Sequence, residues 1–308
     1  MNESFESKVE KLKSHILDLA KEKVVFIAFS GGTDSVTLLK FCVDILGPKK
    51  VVAVFASGIM NSKKTLVASK KIAKKFAVHF QAISHDIFSL PDFSNNTKLR
   101  CYACKKNMFT QILNYAKQFL KKSLYSLKND SQLFEYKSFV IFDGSNTSDF
   151  SSNIFRPGQK VLTELDIKSP FLICNFSKTD VLYLAKKLHI ENFCKASNSC
   201  YATRFSYETK LLPKYFKMIE KAEKHILKFI KNKEKQITEN EIQIRCRIHD
   251  LKIAKIEVSK DFVHHFSNEN FNNTKLYKKL FDILSPMGVK YIAIEKNGFI
   301  SGSMDNKF

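Results

Sequence analysis

The chain has 308 residues, long enough to bury a substantial core and to make two domains, and it carries a formal net charge of +21. Its 44% hydrophobic content is ordinary for a folded globular protein, and no apolar run reaches the ~18 residues that a membrane span requires. The excess charge is lysine spread along helical patterns with no basic block, which favours a solvated face over a nucleic-acid stripe.

The first two dozen residues alternate charge with apolar spacing and predict an amphipathic helix. They lack the uninterrupted apolar core of a signal peptide, so the expected location is cytoplasmic. Val24 to Phe29 then predicts a buried strand that runs into Ser30-Gly31-Gly32-Thr33-Asp34-Ser35, and Val36 to Leu46 continues with helical spacing until Gly47-Pro48 stops it. This is a strand, a tight turn and a helix. Adjacent glycines let a ligand approach the backbone, and a helix N-terminus offers N–H groups to an anion, so a phosphate is the expected guest. The loop has neither the Gly-Lys ending of a Walker A loop nor the G-x-G-x-x-G spacing of a dinucleotide fingerprint.

Strands at Val51 to Ala56 and Val78 to Ser84 flank a lysine-rich helix at Ser62 to Phe76. Asn95 to Arg100 is polar and loop-like, Met108 to Leu120 predicts a helix, and Lys121 to Lys137 reads as an insertion. Ser138 to Phe142 is a further strand, Lys178 to Leu188 a helix, and Cys194 to Phe205 has little secondary-structure signal. Strands alternating with helices predict a parallel sheet covered on both faces, with ligands at the carboxyl ends of the strands, where the Ser30 loop and Ser57 lie. From about Ser206 the pattern changes to a helix at Leu212 to Phe229, strands at Ile242 to Ile248 and Ile253 to Val258, a helix at Thr274 to Leu284 and a strand at Tyr291 to Ile294, with a charged loop at Lys231 to Glu241 between the first helix and the strands. The expected organisation is an α/β parallel-sheet domain over 1–205 and a smaller α+β domain over 206–308.

Seven cysteines, an odd number, argue for metal or catalytic thiols over a disulfide framework. Cys101 and Cys104 form a C-x-x-C, a weak signal alone, open to zinc, to a redox pair, or to an iron–sulfur cluster completed by Cys200. Cys194 is a rival ligand; Cys42, Cys174 and Cys246 read as small buried hydrophobes. Only five of the 51 basic residues are arginine: Arg100, Arg156, Arg204, Arg245 and Arg247. In so lysine-rich a chain, arginine is expected where planar, bidentate recognition of phosphate or carboxylate is needed.

The SGGTDS loop resembles that of the PP-loop ATP pyrophosphatases, which cleave ATP between the α- and β-phosphates. With it come RCYACKK at Arg100, DGSNTSD at Asp143, FRPG at Phe155, KSPFL at Lys168 and CYATRFSY at Cys200. KAEKHI at Lys221, IRCRIHD at Ile244, KIEV at Lys255 and GFISGSM at Gly298 follow in order. Together these segments resemble the LarE family of ATP-dependent sulfur transferases within that superfamily, from about Ser30 to the C-terminus.

The resemblance implies a Rossmann-like PP-loop domain and an enzyme that adenylates a substrate carboxylate and replaces AMP with sulfur, as in nickel-pincer nucleotide biosynthesis. It implies that Ser30, Gly31, Gly32, Asp34 and Ser35 hold ATP and Mg²⁺, with Ser57 near the adenosine. Cys200 matches the sulfur-bearing cysteine, and Cys101 and Cys104 place the chain with members in which three cysteines ligate a [4Fe-4S] cluster. Arg245 and Arg247, with Arg204, match residues that grip a substrate phosphate, and Glu223 and Glu257 match carboxylates of the same region, with Mg²⁺ as a candidate ligand. The expected partner is a small nucleotide-carboxylate substrate, with no membrane, no nucleic acid, and assembly as a homo-oligomer. Thr203 stands where the family pattern has serine. A tRNA-thiolating enzyme or an ammonia-using amide synthase of the same superfamily are the alternatives.

Overall fold

The computed structural model describes residues 4–59, 63–126, 136, 138–150, 157–193, 199–234, 242–266 and 271–300. Two compact units emerge, one from Met1–Ile87 with Cys101–Ser197, the other from Phe88–Arg100 with Asn198–Phe308. The expected cut after residue 205 thus falls inside the second unit.

In the first unit, α1 (Phe5–Leu19) is capped by Ser4 and precedes β1 (Lys23–Ala28), α2 (Thr33–Leu46), β2 (Val51–Ser57), α3 (Lys63–Lys75) and β3 (His79–Ser84). The short helix α4 (Pro91–Ser94) belongs to the second unit. After it come α5 (Arg100–Ser126), β4 (Ser138–Phe142), the short helices α6 (Lys160–Glu164) and α7 (Pro170–Ile173), and α8 (Lys178–Lys187). The sheet order is β3-β2-β1-β4, parallel throughout, with Val25 opposite Val51 and Val140. Successive strand residues point to opposite faces. Val25 and Ile27 therefore pack with Leu12, Val36, Leu39 and Leu184, while Val24 and Phe26 pack with Phe109, Ile112 and Ala116. Both faces are covered, which is why these strands read as continuous apolar runs.

One expectation is corrected here. The helix predicted from Met108 begins at Arg100 and runs 27 residues to Ser126, so the C-x-x-C lies in its first turn and the helix enters the segment read as an insertion. No Gly or Pro interrupts residues 100–126, and Phe109, Ile112, Ala116 and Leu120 keep one buried stripe across them. The rest of that insertion (127–135, 137), residues 235–241 of the expected charged loop, and Arg156 and Cys194 lie outside the described residues.

In the second unit, α9 (Pro213–Lys233) buries Phe216, Ile219, Ala222, Ile226 and Ile230 at helical spacing and packs on β5 (Ile244–His249). β6 (Ile253–Val258) pairs antiparallel with β5 and parallel with β7 (Tyr291–Ile294), and α10 (Lys275–Leu284) packs on α9.

Candidate active site

Strand β1 is central and the strand order reverses between β1 and β4, and ligands of open α/β sheets bind outside the carboxyl ends of the strands at such a reversal. Two loops sit there. The first is Ser30–Gly32, braced from within: Ser35 Oγ accepts from Ser30 N at 3.2 Å and donates to Gly32 O at 3.0 Å, while Ser30 Oγ accepts from Gly32 N at 3.2 Å. Gly31 has φ +74°, and a Cβ there would lie 2.3 Å from Ser69 Oγ on α3, so both its conformation and its space require glycine. Gly32 is the N-cap of α2 and makes no side-chain capping hydrogen bond, and the positive end of the helix faces this loop.

The second loop follows β4. A Cβ on Gly144 would meet the Asp34 backbone at 3.1 Å and Ser35 N at 3.2 Å, so this loop presses directly on the start of α2. Asp143 is buried and accepts from Ser145 Oγ at 2.6 Å and Ser169 Oγ at 2.5 Å, which fixes the loop. Asp34 forms an ion pair with Lys178 at 2.7 Å, at the start of α8. Ser57 ends β2, where its carbonyl accepts from His85 N. Lys178, Asp143 and Ser169 went unnoticed as site residues in the sequence; the segments DGSNTSD and KSPFL, at the ends of an expected strand and before a helix, were the available signal for the last two.

Cys101 is exposed and Cys104 half-buried. Spaced by three, they lie on one side of α5, a soft donor pair that fits a zinc, redox or iron–sulfur role. His85 approaches Cys104, with Nε2 at 3.2 Å from its carbonyl oxygen and 3.9 Å from Sγ. Burial lowers the His85 pKa below the ordinary imidazole value, and its hydrogen bond to the Cys104 carbonyl opposes this only in part. Cys42, Cys174 and Cys246 are buried, as expected.

The second unit gathers three arginines and two glutamates. Arg204, 1% exposed, donates from Nε and Nη2 to the two Glu223 oxygens at 2.9 and 3.1 Å and from Nη1 to Ser199 Oγ at 2.7 Å. Glu223 also accepts from Cys246 N at 3.0 Å. Arg247 donates to Glu257 at 2.7 Å and to the Thr203 carbonyl at 2.8 Å. Arg245 alone of the three donates only to neutral acceptors, Ile244 O and Gln243 Oε1, while lying over the Phe299 ring. Burial, then repulsion from Arg204, pulls its pKa down to about 10. Among these three arginines Arg245 is the one with no carboxylate in hydrogen-bond contact, although Glu223 and Glu257 lie close enough to act on it.

Cys200 caps the turn Tyr201–Arg204, and its carbonyl accepts from Thr203 N at 2.9 Å. Burial, with Glu223 and Glu220 nearby, raises the Tyr201 phenol well above its usual range. Glu223 and Glu257, expected as candidate magnesium ligands, are the partners of Arg204 and Arg247. Among the described residues, the group of His, Cys, Asp and Glu close enough to hold a metal is Glu234, His264 and His265, which the sequence reading did not single out.

Residues 4–101 match the family described as NAD synthase. Over 284 residues, 92% of this chain and 89% of the relative, the chain is 28% identical to the pyridinium-3,5-bisthiocarboxylic acid mononucleotide synthase of Lactiplantibacillus plantarum. It is 28% identical to an uncharacterized protein of Methanocaldococcus jannaschii over 83% of this chain and 86% of that one. To an uncharacterized protein of Synechocystis it is 22% identical over 97% of both. No helix among the described residues is long and apolar enough to cross a membrane.

Proposed function

We propose, for a chain that carries an NAD-synthase-like domain of the PP-loop superfamily and is related over nearly its whole length to a mononucleotide synthase, an ATP-dependent sulfur transfer onto an activated carboxylate. The observation that carries the ATP half is the braced Ser30–Gly32 loop at the carboxyl end of β1, where Gly31 and Gly144 keep side chains out of the space beside α2. The sulfur half rests on the exposed and half-buried thiols of Cys101, Cys104 and Cys200.

The substrate carboxylate attacks the α-phosphorus of ATP, the bond to the bridging oxygen breaks, and pyrophosphate leaves. Loop N–H groups and the hydroxyls of Ser30 and Ser35 neutralise the charge that develops on it. Bound with the nucleotide, Mg²⁺ would be held by Asp34, whose present partner Lys178 would turn to the phosphates. Sulfur carried at Cys200 then attacks the acyl carbon, and AMP departs with the electrons of the C–O bond. Arg245, the arginine with no carboxylate in hydrogen-bond contact, would take the substrate phosphate. Arg204 and Arg247, tied into ion pairs, would orient that region.

A [4Fe-4S] cluster on Cys101, Cys104 and Cys200 would make the sulfide renewable. Without it, Cys200 would give up its own sulfur by losing its Cα proton, leaving dehydroalanine. We place the enzyme in the cytoplasm as a homo-oligomer.

The test is iron and acid-labile sulfide content on protein purified without oxygen, beside Cys200→Ala, together with AMP and pyrophosphate release from ATP. Roughly four irons per chain, lost in the variant, support the cluster. No iron, with AMP still formed, removes the cluster and sends the question to mass analysis for dehydroalanine at position 200. A second reading, ammonia-using amide formation, is favoured by the NAD synthase match over 4–101. It predicts that Cys101→Ser with Cys104→Ser leaves turnover intact.

A further inference from the structure

We infer that Arg100 is an anion-binding residue, its guanidinium held ready for a charged group that arrives with a ligand. Arg100 is 5% exposed, and its Nε and Nη1 have no hydrogen-bond partner. Among the described residues its side chain meets the Tyr207 ring, with the guanidinium carbon 4.2 Å from the centroid. The other described arginines differ. Arg204 and Arg247 each have a glutamate and a backbone carbonyl, and Arg245 has two oxygen acceptors.

Leaving such a cation buried without acceptors is unfavourable, and buried polar groups of folded proteins are nearly always satisfied. Arg100 is also not a loosely placed side chain. Its segment is tied down by Asn96, whose amide donates to the carbonyls of Phe205 and Ser206 at 3.3 and 2.7 Å. Further ties run from Glu208 N to Asn96 O and from Leu211 N to Ser94 O. A rigidly held, planar, permanently charged donor that stacks on an aromatic ring is the arrangement that recognises anions. Arg100 also opens α5, a helix of 27 residues whose N-terminal end is positive and is followed at once by Cys101. The anion is therefore either an oxyanion of the reaction, such as pyrophosphate, or the negatively charged sulfur group that the C-x-x-C would bind. The inference rests on the proposed function only for which anion that is.

The experiment compares thermal unfolding of the full chain, Arg100→Met and Arg100→Lys. Each is measured ligand-free, with sodium pyrophosphate, and after anaerobic reconstitution with iron and sulfide. Without ligand, the Met variant should melt higher than the parent by about 2–8 °C, because an unpaired buried charge has been removed. The parent should gain stability from one of the two additions; the Met variant should lose that gain and the Lys variant keep part of it. A gain from pyrophosphate assigns an oxyanion, and a gain only on reconstitution assigns the sulfur group. A ligand-free Met variant no more stable than the parent overturns the inference, as do additions that shift both proteins equally or neither. Conversion of ATP to AMP, followed in parallel, separates the two ideas. Turnover with no charge-dependent shift ends this inference alone, and a shift in a chain that never cleaves ATP ends the proposed function alone.

Discussion

Replacing Glu223 by alanine removes three interactions at once: two from the Arg204 guanidinium, at 2.9 and 3.1 Å, and one from the Cys246 amide at 3.0 Å. Arg204 is 1% exposed, so water cannot take over, and the variant leaves an uncompensated buried cation beside an unpaired strand amide. Breaking one partner of a buried ion pair costs about 3–5 kcal/mol. At 2–4 °C per kcal/mol for domains of 150–250 residues, the melting midpoint should fall by roughly 6–20 °C. Scanning calorimetry or fluorimetry at neutral pH reads this directly. The double variant Glu223→Ala with Arg204→Met should recover most of the loss, since an apolar replacement of a buried pair is close to neutral. If Glu223 instead serves mainly as a magnesium ligand, the variant keeps its midpoint and loses the Mg²⁺ dependence of ATP turnover. A Glu223→Ala protein melting within ~2 °C of the parent would therefore refute the structural argument.

Gly31→Ala forces an L side chain into φ +74° and places its Cβ 2.3 Å from Ser69 Oγ. The backbone part should cost about 1–2 kcal/mol and persist in Gly31→Ala with Ser69→Ala, whereas the overlap is relieved in that double variant; urea unfolding of the two measures the split, and equal stability of both would remove the contact with Ser69 from the account. For His85, burial keeps the folded imidazole neutral below its ordinary pKa. As pH falls through about 6.5 the unfolded chain takes up a proton that the folded one does not, so stability must decline on the acid side. His85→Asn should flatten the melting profile between about pH 7 and 5, and parallel profiles for parent and variant would show that His85 carries no part of the acid sensitivity.

The alternation of strands and helices from Val24 to Ser84, the turn at Ser30–Gly32 and the β5, β6 and β7 strands were legible because each is a local pattern. Periodicity of two or 3.6 and paired glycines need no knowledge of distant residues. The polar run read as a loop is one from Asn95 to Leu99, held in place by Phe205, Ser206 and Glu208, more than a hundred residues on; the start of α5 was set too late because Cys101–Asn107 was read for its thiols and not as helix. The same ties place Phe88–Arg100 with the second unit, which no composition shift marks.

At the candidate site the division has the same cause. Residue types and spacing singled out the Ser30–Ser35 turn, Arg204, Arg245, Arg247 and the C-x-x-C, because paired glycines, scarce arginines and paired thiols are local signals, whereas the roles of Asp34, Glu223 and Glu257 came only from the family resemblance. Partnership was not in the sequence. Lys178 reaches Asp34 across 144 residues, and Glu223 and Glu257 are engaged by Arg204 and Arg247. The sequence by itself determined which groups this protein possesses and where its backbone must turn. Tertiary structure decided which buried charges meet a carboxylate, as Arg204 and Arg247 do, and which, like Arg245 and Arg100, form no hydrogen bond to one, since burial and pairing are properties of packing between segments distant along the chain.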